Sequence, residues 1–420
     1  MSERAFTTAS WASFVALAVL LFVVASCSGT FDEADGGIAT NPTAPAAGTT
    51  DHTTTSTATS TATSTTTGSA ALPPADNPDR LSAWNQLESR DGRLVLAEGV
   101  TPYTLNSPLF SDYAHKLRTV WIPQGAGAAA YQADGPFNFP VGTVVTKTFY
   151  YPEPEDGQPA EARVLKSDPP SDVVQSLDLD DVRLVETRVL VHREDGWQGL
   201  PYVWNAEETE ATLQRTGEIV QLALVDAEGE VPLTYVVPDV NQCASCHATN
   251  HSTGTIELIG LQARHLNTEV DLGRGAISQL DQWQELGLLT GAPSADAIAT
   301  AAVWNDDAAP LEDRARAYLD INCAHCHNPV GAADTSGLFL DHSTEIGVAY
   351  GVCKQPVAAG SGSGGRLFDI VPGKPDESIL VYRMEATDPA ARMPELGRST
   401  AHTEAVDVIA DWIETLEGTC

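Results

Sequence analysis

Two short segments, CASCH at residues 243–247 and CAHCH at residues 323–327, decide how we interpret this sequence of 420 residues. Each has two cysteines three positions apart and a histidine directly after the second, which is the CxxCH pattern of covalent c-type haem attachment. On one helical turn both thiols can form thioethers to the haem vinyl groups, and the adjacent histidine reaches the iron. The sequence therefore predicts two covalently bound haem c groups, attached at Cys243, Cys246, Cys323 and Cys326, with His247 and His327 as axial iron ligands.

Two other uses of paired cysteines fit the sequence less well. A zinc site would combine both CxxC pairs, but 76 residues separate Cys246 from Cys323, against roughly 12 to 20 in common zinc modules. A thioredoxin-like redox pair leaves the histidine after each motif unexplained. The chain has ten histidines, so their place directly behind both CxxC pairs favours haem.

The sixth iron ligands come from few candidates. Besides Met1, methionine occurs at Met384, which we assign to the core, and at Met393. Met393 precedes a proline 66 residues after the second motif, which suits a thioether ligand at the far face of the second haem, with core packing as the alternative. For the first haem His265 is the candidate, with a surface or structural role as its alternative. If His265 does not bind, that iron is five-coordinate or takes a ligand from elsewhere.

Residues 1–27 predict export. One arginine precedes an unbroken apolar run from Phe14 to Ala25, shorter than the roughly 20 residues of a spanning helix and typical of a signal peptide. The sequence VASC that ends at Cys27 is similar to a lipobox and predicts lipid attachment there, with an ordinary signal or an uncleaved anchor as the alternative. Residues 28–74, rich in Thr, Ser, Ala and Gly, predict a disordered linker between the lipid anchor and the folded part. We expect the protein to face the periplasm or the cell exterior.

The last two cysteines, Cys353 and Cys420, belong to neither motif. Unpaired thiols are uncommon in an oxidising compartment. We therefore predict a disulfide between them, which would close a loop of 66 residues. Two free buried thiols are the alternative.

Composition narrows the class of protein and of partner. Hydrophobic residues make up 42% and charged residues 19%, which is typical of globular proteins and excludes a wholly disordered or multi-span membrane protein. Lys and Arg number 23 against 57 Asp and Glu, a formal net charge of −34. Such a charge repels nucleic acid and favours a basic redox partner protein or a cation, with solubility alone as the alternative.

The folded part is predicted to be multi-domain. Residues 75–240 predict a β-rich domain, because Thr143–Tyr150 and Arg183–Val191 are rich in β-branched and aromatic residues with a period of two. We predict a first haem c domain over residues 241–308 and a second, cytochrome c-like haem domain over residues 309–420, both mostly α-helical. Helices are predicted over Glu207–Thr216, Ala276–Leu286, Glu312–Ile321 and Thr403–Leu416.

Several longer stretches resemble a family of bacterial diheme c-type cytochromes. They are LNSPLFSDYAHKLRTVWIP (105–123), FPVGTVVTKTFYYP (139–152), YVWNAEETEATL (202–213), NQCASCH (241–247), RAYLDINCAHCH (316–327), GVCKQPVAAGSGSGGRLFDIVPGKPDESILVYRM (351–384) and MPELGR (393–398). The resemblance covers about residues 80–416 and implies an exported diheme protein, often a lipoprotein. It also implies a parallel β-helix repeat protein as a neighbour and potential partner. The haem residues of both CxxCH motifs match the family pattern. His265 is not part of that pattern, and the resemblance implies no particular activity.

Three functions follow from these expectations. Electron transfer between periplasmic or cell-surface partners is our main hypothesis. The alternative is a diheme peroxidase-like or oxidase-like enzyme, a haem-dependent oxidoreductase with an open coordination site at the first haem. A third hypothesis is that the β-rich domain binds a ligand or partner such as a polysaccharide. The aromatic residues that could line such a site, with core packing as their alternative, are Tyr103, Phe110, Tyr113, Trp121 and Trp204.

Overall fold

Strands dominate the part of the chain that the computed structural model describes, which comprises residues 73–156, 162–170, 172–273 and 275–420. In chain order they are β1 (Leu87–Arg90), β2 (Arg93–Leu96), β3 (Thr101–Tyr103), β4 (His115–Trp121), β5 (Ala129–Ala130), β6 (Val144–Pro152), β7 (Arg163–Leu165), β8 (Ser176–Asp178), β9 (Val182–Arg193), β10 (Gly196–Trp204), β11 (Ala211–Leu213), β12 (Glu218–Asp226), β13 (Gly229–Val237), β14 (Glu269–Asp271), β15 (Ala276–Ser278) and β16 (Leu289–Thr290). The α-helices are α1 (Val240–His247), α2 (Ala263–Leu266), α3 (Gln279–Glu285), α4 (Leu311–Cys323), α5 (Ile379–Glu385) and α6 (Thr403–Thr415). These residues lie within one compact unit.

A six-stranded antiparallel sheet in the order β11-β10-β9-β6-β4-β3 forms the centre of this unit. The two predicted strand runs, Thr143–Tyr150 and Arg183–Val191, lie in β6 and β9 and pair with each other. Their β-branched residues alternate between two buried faces, as a period of two requires. The β-rich prediction is therefore confirmed for the described chain.

Both faces of the central sheet are covered. On one face Leu117, Val144 and Val189 join Trp84 and Leu94 from the N-terminal strands in one apolar core. On the other face, sheet residues pack against the segment that follows the first CxxCH motif. That core contains Val120, Val145, Leu190, Leu258, Leu261, Leu266, Leu280, Trp283 and Leu289.

Shorter sheets complete the β structure. They have the orders β1-β2-β8, β13-β12-β7, β14-β15 and β16-β5. The turns between β9 and β10 and between β12 and β13 lie at Asp195-Gly196 and Glu228-Gly229. The pairing of β16 with β5 is parallel and joins positions about 160 residues apart along the chain.

The prediction of two mostly α-helical, cytochrome c-like domains is wrong. Within the described residues of 241–308 the helices α1, α2 and α3 have only eight, four and seven residues. Residues 324–378, all of them described, contain no α-helix. The physical reason is that the apolar side chains of residues 258–298 are buried against the central sheet, so they need no helical bundle of their own.

Two of the individual helix predictions are confirmed and two are changed. α4 and α6 lie where the predicted segments Glu312–Ile321 and Thr403–Leu416 place them, and they pack against each other. Ala276–Leu286 begins as strand β15, and its helix starts after Ser278, whose hydroxyl accepts a hydrogen bond from the backbone N–H of Asp281. Glu207–Thr216 is not helical but forms a turn and strand β11.

The predicted export signal (residues 1–27), the lipidation site Cys27 and the linker as far as residue 72 lie outside the described residues. Of the aromatic residues considered for a ligand site, Tyr103, Tyr113, Trp121 and Trp204 are buried. They contribute to the apolar cores. In the described part of the chain, no helix is both long enough and apolar enough to cross a bilayer.

Candidate functional site

The first CxxCH motif occupies a short, well-capped helix. The Asp239 carboxylate accepts hydrogen bonds from the backbone N–H groups of Asn241 (2.7 Å) and Gln242 (2.9 Å). In return, the Gln242 side-chain oxygen accepts from the Asp239 N–H at 3.0 Å. This capping box starts α1 directly before Cys243 and places both thiols of the motif within one helix.

The second motif begins at the C-terminal end of α4. Cys323 is the last residue of that helix, and Cys326 and His327 continue in hydrogen-bonded turns back to the Cys323 carbonyl, at 3.1 and 2.9 Å. All four motif thiols are free and partly buried. They are therefore available for thioether bonds.

The motif histidines have matching hydrogen bonds. The Nδ1 of His247 lies 2.7 Å from the carbonyl oxygen of Glu257, and the Nδ1 of His327 lies 3.2 Å from that of Leu338. A carbonyl can only accept, so each Nδ1 carries the proton and each Nε2 has its lone pair available. Metal-binding histidines are held in this way, with the second ring nitrogen donating to a backbone carbonyl. The residues of both motifs thus fit a haem iron.

The ionisation of these groups also favours haem attachment over a redox-active cysteine pair. Burial, followed by the positive charge of Lys147, lowers the pKa of His247 to about 3, so that its ring is neutral at pH 7. Burial raises the pKa of the Cys323 and Cys326 thiols to about 12. Thioredoxin-like pairs have a lowered thiol pKa, which is the opposite direction.

The two motifs touch each other. The Sγ of Cys326 lies 3.5 Å from the carbonyl oxygen of Ser245, which is inside the first motif. Close by, the backbone N–H of His251 donates to the Val330 carbonyl at 2.7 Å. This contact is not predictable from the sequence, because 80 positions separate the two motifs.

The chain matches no protein-family model, no curated protein and no solved structure. The resemblance to diheme cytochromes therefore stays an expectation. Within the described ranges, no group of three or more His, Cys, Asp or Glu side chains could hold a metal ion. A haem iron does not need such a group, because its porphyrin supplies four ligands and the protein one or two.

The central sheet approaches the first motif at Gly199 of β10. A Cβ at this position would lie 3.1 Å from both Cβ and Sγ of Cys243. Helix α1 therefore packs on the sheet through a position where a side chain would crowd the Cys243 thiol.

Met393 lies in a loop that Arg398 holds in place. The guanidinium of the buried Arg398 donates to the Met393 carbonyl from Nε at 3.0 Å and from Nη2 at 2.7 Å, and it also reaches the carbonyls of Arg383 and Thr400. The backbone N–H of Met393 donates to the Arg383 carbonyl at 2.8 Å. Met384, in contrast, is buried in the core of α4 and α6, as expected.

His265 is bound to a carboxylate. Its Nε2 lies 3.1 Å from Asp320, which also accepts two hydrogen bonds from Arg264, at 2.7 and 2.9 Å. The Nδ1 of His265 is buried and has no hydrogen-bond partner within the described ranges. Iron ligation by His265 stays a prediction, and with the Asp320 contact intact it would require a bond through Nδ1.

Cys353 and Cys420 form a disulfide in the structure, with an S–S distance of 2.14 Å. It attaches the C-terminal residue of the sequence next to Ile370, whose carbonyl also accepts the Cys353 N–H at 2.9 Å. The four remaining described cysteines are those of the CxxCH motifs.

Sequence reasoning missed several residues that surround the motifs. Gly199 and Arg398 carry no sequence pattern that marks them. Lys147 does carry a signal, since it is the one charged residue of β6, whereas Arg188 does not stand out because β9 also contains Arg183 and Glu186. Their partners across the sheet could not be read from the sequence, because strand register decides them.

Proposed function

We propose that this protein is an exported diheme c-type cytochrome that transfers electrons between partner proteins outside the cytoplasm. The observation that supports this most strongly is the contact between Cys326 and Ser245, since it brings the two haem-attachment motifs together. Two redox groups attached to touching motifs form a short path for electrons through the protein. The hydrogen bonds that orient Nε2 of His247 and His327 support iron ligation at each motif.

In this proposal His327 and Met393 would hold the iron of the second haem. A haem bound in this way supplies one-electron chemistry at a potential higher than that of a bis-histidine haem. The protein would contribute these two ligands and a loop in which the Arg398 guanidinium holds the Met393 carbonyl.

The proposed location and partner follow from the remaining sequence features. Lipid attachment at Cys27 and the linker of residues 28–74 would tether the protein to a membrane and leave the haem-binding part free to reach a soluble partner. The formal charge of −34 favours a basic redox protein as that partner. A parallel β-helix repeat protein is the partner that the family resemblance proposes.

The direct test uses the full chain, produced together with a c-type haem attachment system. We expect its mass to exceed that of the polypeptide by two haems and its reduced spectrum to show low-spin c-type haem. The double variant C243S/C246S should lose one haem, and so should C323S/C326S. The matched control is C353S/C420S, which should keep both haems, while a chain without covalent haem would contradict the proposal.

One observation favours a second candidate, a peroxidase-like or oxidase-like enzyme with an open site at the first haem. The Nε2 of His265 is bound to Asp320, so this nitrogen of the predicted sixth ligand is not free for the iron and only Nδ1 remains. An open ferrous site binds carbon monoxide and an open ferric site binds cyanide. Spectral shifts with both ligands at one haem would favour the enzyme. If neither ligand changes the spectrum of either haem, electron transfer is the function that remains.

A further inference from the structure

Three cations lie side by side across the central sheet. Arg118 of β4 is directly opposite Lys147 of β6, which is directly opposite Arg188 of β9. Residues directly opposite in an antiparallel sheet point to the same face with their Cβ atoms about 5 Å apart, and like charges at such positions repel. We call these three residues the cation row. In a protein whose net charge is −34, the repulsion between three adjacent cations calls for a compensating negative charge nearby.

The cation row faces the first CxxCH motif. On β10 the residue opposite Arg188 is Pro201, and Gly199, two positions earlier on the same face, touches Cys243. Neighbouring positions of this face, Val145 and Leu190, pack against the segment that follows the motif. Lys147 is also close enough to His247 for its charge to lower the pKa of that ring.

The protein itself neutralises only one member of the cation row. Arg188 donates two hydrogen bonds to the buried Glu186, at 2.6 and 2.9 Å, and Glu186 also accepts one from the Tyr235 hydroxyl at 2.7 Å. Within the described ranges Arg118 donates only one long hydrogen bond, 3.4 Å, to a backbone carbonyl, and Lys147 has no hydrogen bond or ion pair. Arg118 is buried and Lys147 partly so.

The surroundings add one more basic side chain and no further carboxylate bond, and burial together with the cation row lowers the pKa of this side chain, Lys116, well below its usual range. Lys116, on the same face of β4, donates to the Ala114 carbonyl at 2.7 Å. The ring of Phe149 lies 5.5 Å from the Lys116 ammonium, 5.2 Å from that of Lys147 and 4.4 Å from the Arg188 guanidinium, which compensates their burial in part. Burial and the neighbouring Arg188 and Arg118 lower the pKa of Lys147 to about 7. The site thus has the electrostatics of an anion site.

We propose that Arg118 and Lys147 bind the propionate carboxylates of the haem attached at Cys243 and Cys246. This inference rests on the proposed diheme function and specifies its first site. A haem carries two propionates, and the two unpaired cations match them in number and sign. A carboxylate on a covalently attached group is held beside the cation row at high effective concentration, which a free anion is not.

The test is a redox titration of the full chain with both haems attached, in which visible absorption is recorded at each potential. It compares the wild type with the variants K147Q, R118Q and K147R. Removing a positive charge beside a haem stabilises its ferric form, so K147Q and R118Q should each lower the potential of one haem and leave the other unchanged. K147R keeps the charge and should keep the potential. If K147Q does not accumulate, R118Q gives the same comparison.

A second measurement distinguishes the haem carboxylates from a free anion. With ionic strength held constant, phosphate is exchanged for chloride in the wild-type protein. Potentials that do not change support tethered propionates, whereas a potential that depends on phosphate concentration would overturn the proposal in favour of an exchangeable anion. If the potentials of both haems are the same in K147Q and R118Q as in the wild type, the proposal is also overturned, while the proposed function stays intact. A chain without covalent haem would contradict the proposed function itself.

Discussion

Arg398 is the residue through which the Met393 loop can be tested. Lysine has no planar fork of donors, so in R398K the hydrogen bonds to the carbonyls of Met393, Arg383 and Thr400 cannot all be kept. We expect weaker Met393 ligation, which means a smaller long-wavelength ferric absorption band and a lower potential of the second haem, since methionine ligation raises that potential. Visible spectra and redox titration measure both.

The control for this prediction is R366K in the same segment, because Arg366 donates to the Asp376 carbonyl and stacks on Tyr382 without touching Met393. R366K should leave the spectrum and both potentials unchanged. If R398K lowers only the unfolding midpoint while the ferric band persists, Arg398 has a structural role and does not position an iron ligand.

At the scale of single residues the sequence predicts the chemistry of the site but not its surroundings. The CxxCH spacing brings the two thiols and the histidine of each motif together whatever the fold, because the five residues of a motif are consecutive in the chain. Lys147 and Arg188, in contrast, are 41 positions apart in sequence and become neighbours only through the pairing of β6 with β9. No local pattern contains that information.

Gly199 decides how closely helix α1 can approach strand β10. In G199A the new methyl group would lie 3.1 Å from the Cβ and Sγ of Cys243, closer than carbon and sulfur atoms normally pack. We expect α1 to be displaced and haem attachment at the first motif to be impaired, so that the protein carries one haem instead of two. The mass of the purified chain measures this directly.

A matched glycine variant serves as the control for G199A. Gly347 has an ordinary backbone conformation and no atom within 4 Å of its would-be Cβ, so G347A should keep both haems. Two haems in G199A with an unchanged spectrum would contradict the packing argument.

The start of helix α6 is stabilised by Glu404 in a pH-dependent manner. Burial alone would raise the pKa of Glu404, but the hydrogen bond from Tyr113 (2.6 Å) and the Lys166 ammonium (3.0 Å) lower it to about 2. Because the folded-state pKa is below the unfolded value of about 4.3, the stabilisation is complete above pH 4.3 and is lost as the pH falls through 2. The side chain is 44% exposed, so screening keeps the effect below about 1 kcal/mol.

The measurement is the thermal unfolding midpoint of E404Q and of the wild type between pH 2 and pH 7. The midpoint of E404Q should be lower at pH 5 to 7 and should approach that of the wild type near pH 2. E414Q, on the same helix, is the control and should follow the wild type throughout. A constant difference at all pH values would exclude ionisation of Glu404 as its cause.

At the scale of elements, the sequence predicts those whose pattern agrees with their packing. α6 buries Val406, Ile409 and Ile413 on one stripe, and this spacing is visible in the sequence. Glu207–Thr216 is composed of helix formers in part, but the Asn205 side chain accepts hydrogen bonds from the N–H groups of Thr209 and Glu210 and forms a turn instead. Strand β11 then follows because it can pair with β10.

For the whole molecule, the disulfide between Cys353 and Cys420 fixes the end of the chain. In the chain-entropy account, closing a loop of this length restricts the unfolded state and stabilises the native state by about 4 kcal/mol. We expect C353S/C420S to lose roughly that free energy of unfolding while it keeps both haem spectra. Urea unfolding of the two proteins compares them, and equal stabilities would contradict the prediction.

The net charge of the whole molecule gives a kinetic prediction. With −34 formal charges, a cationic ruthenium ammine complex should exchange electrons faster at low salt and slow down as salt is added. Ferricyanide, an anion, should show the opposite salt dependence. Stopped-flow rates that are independent of salt for both reagents would show that charge does not guide partners to the haems.

The parallel pairing of β16 with β5 affects the time course of folding. It joins Ala129 to Leu289, so a loop of about 160 residues has to close before this contact forms, and contacts of such sequence separation make folding slow. Until then Val120, Val145 and Leu190 lack the apolar side chains that cover them in the native protein. A newly made chain therefore exposes an apolar sheet face to other chains until its second half has folded onto it, and aggregation at high expression is the risk that follows.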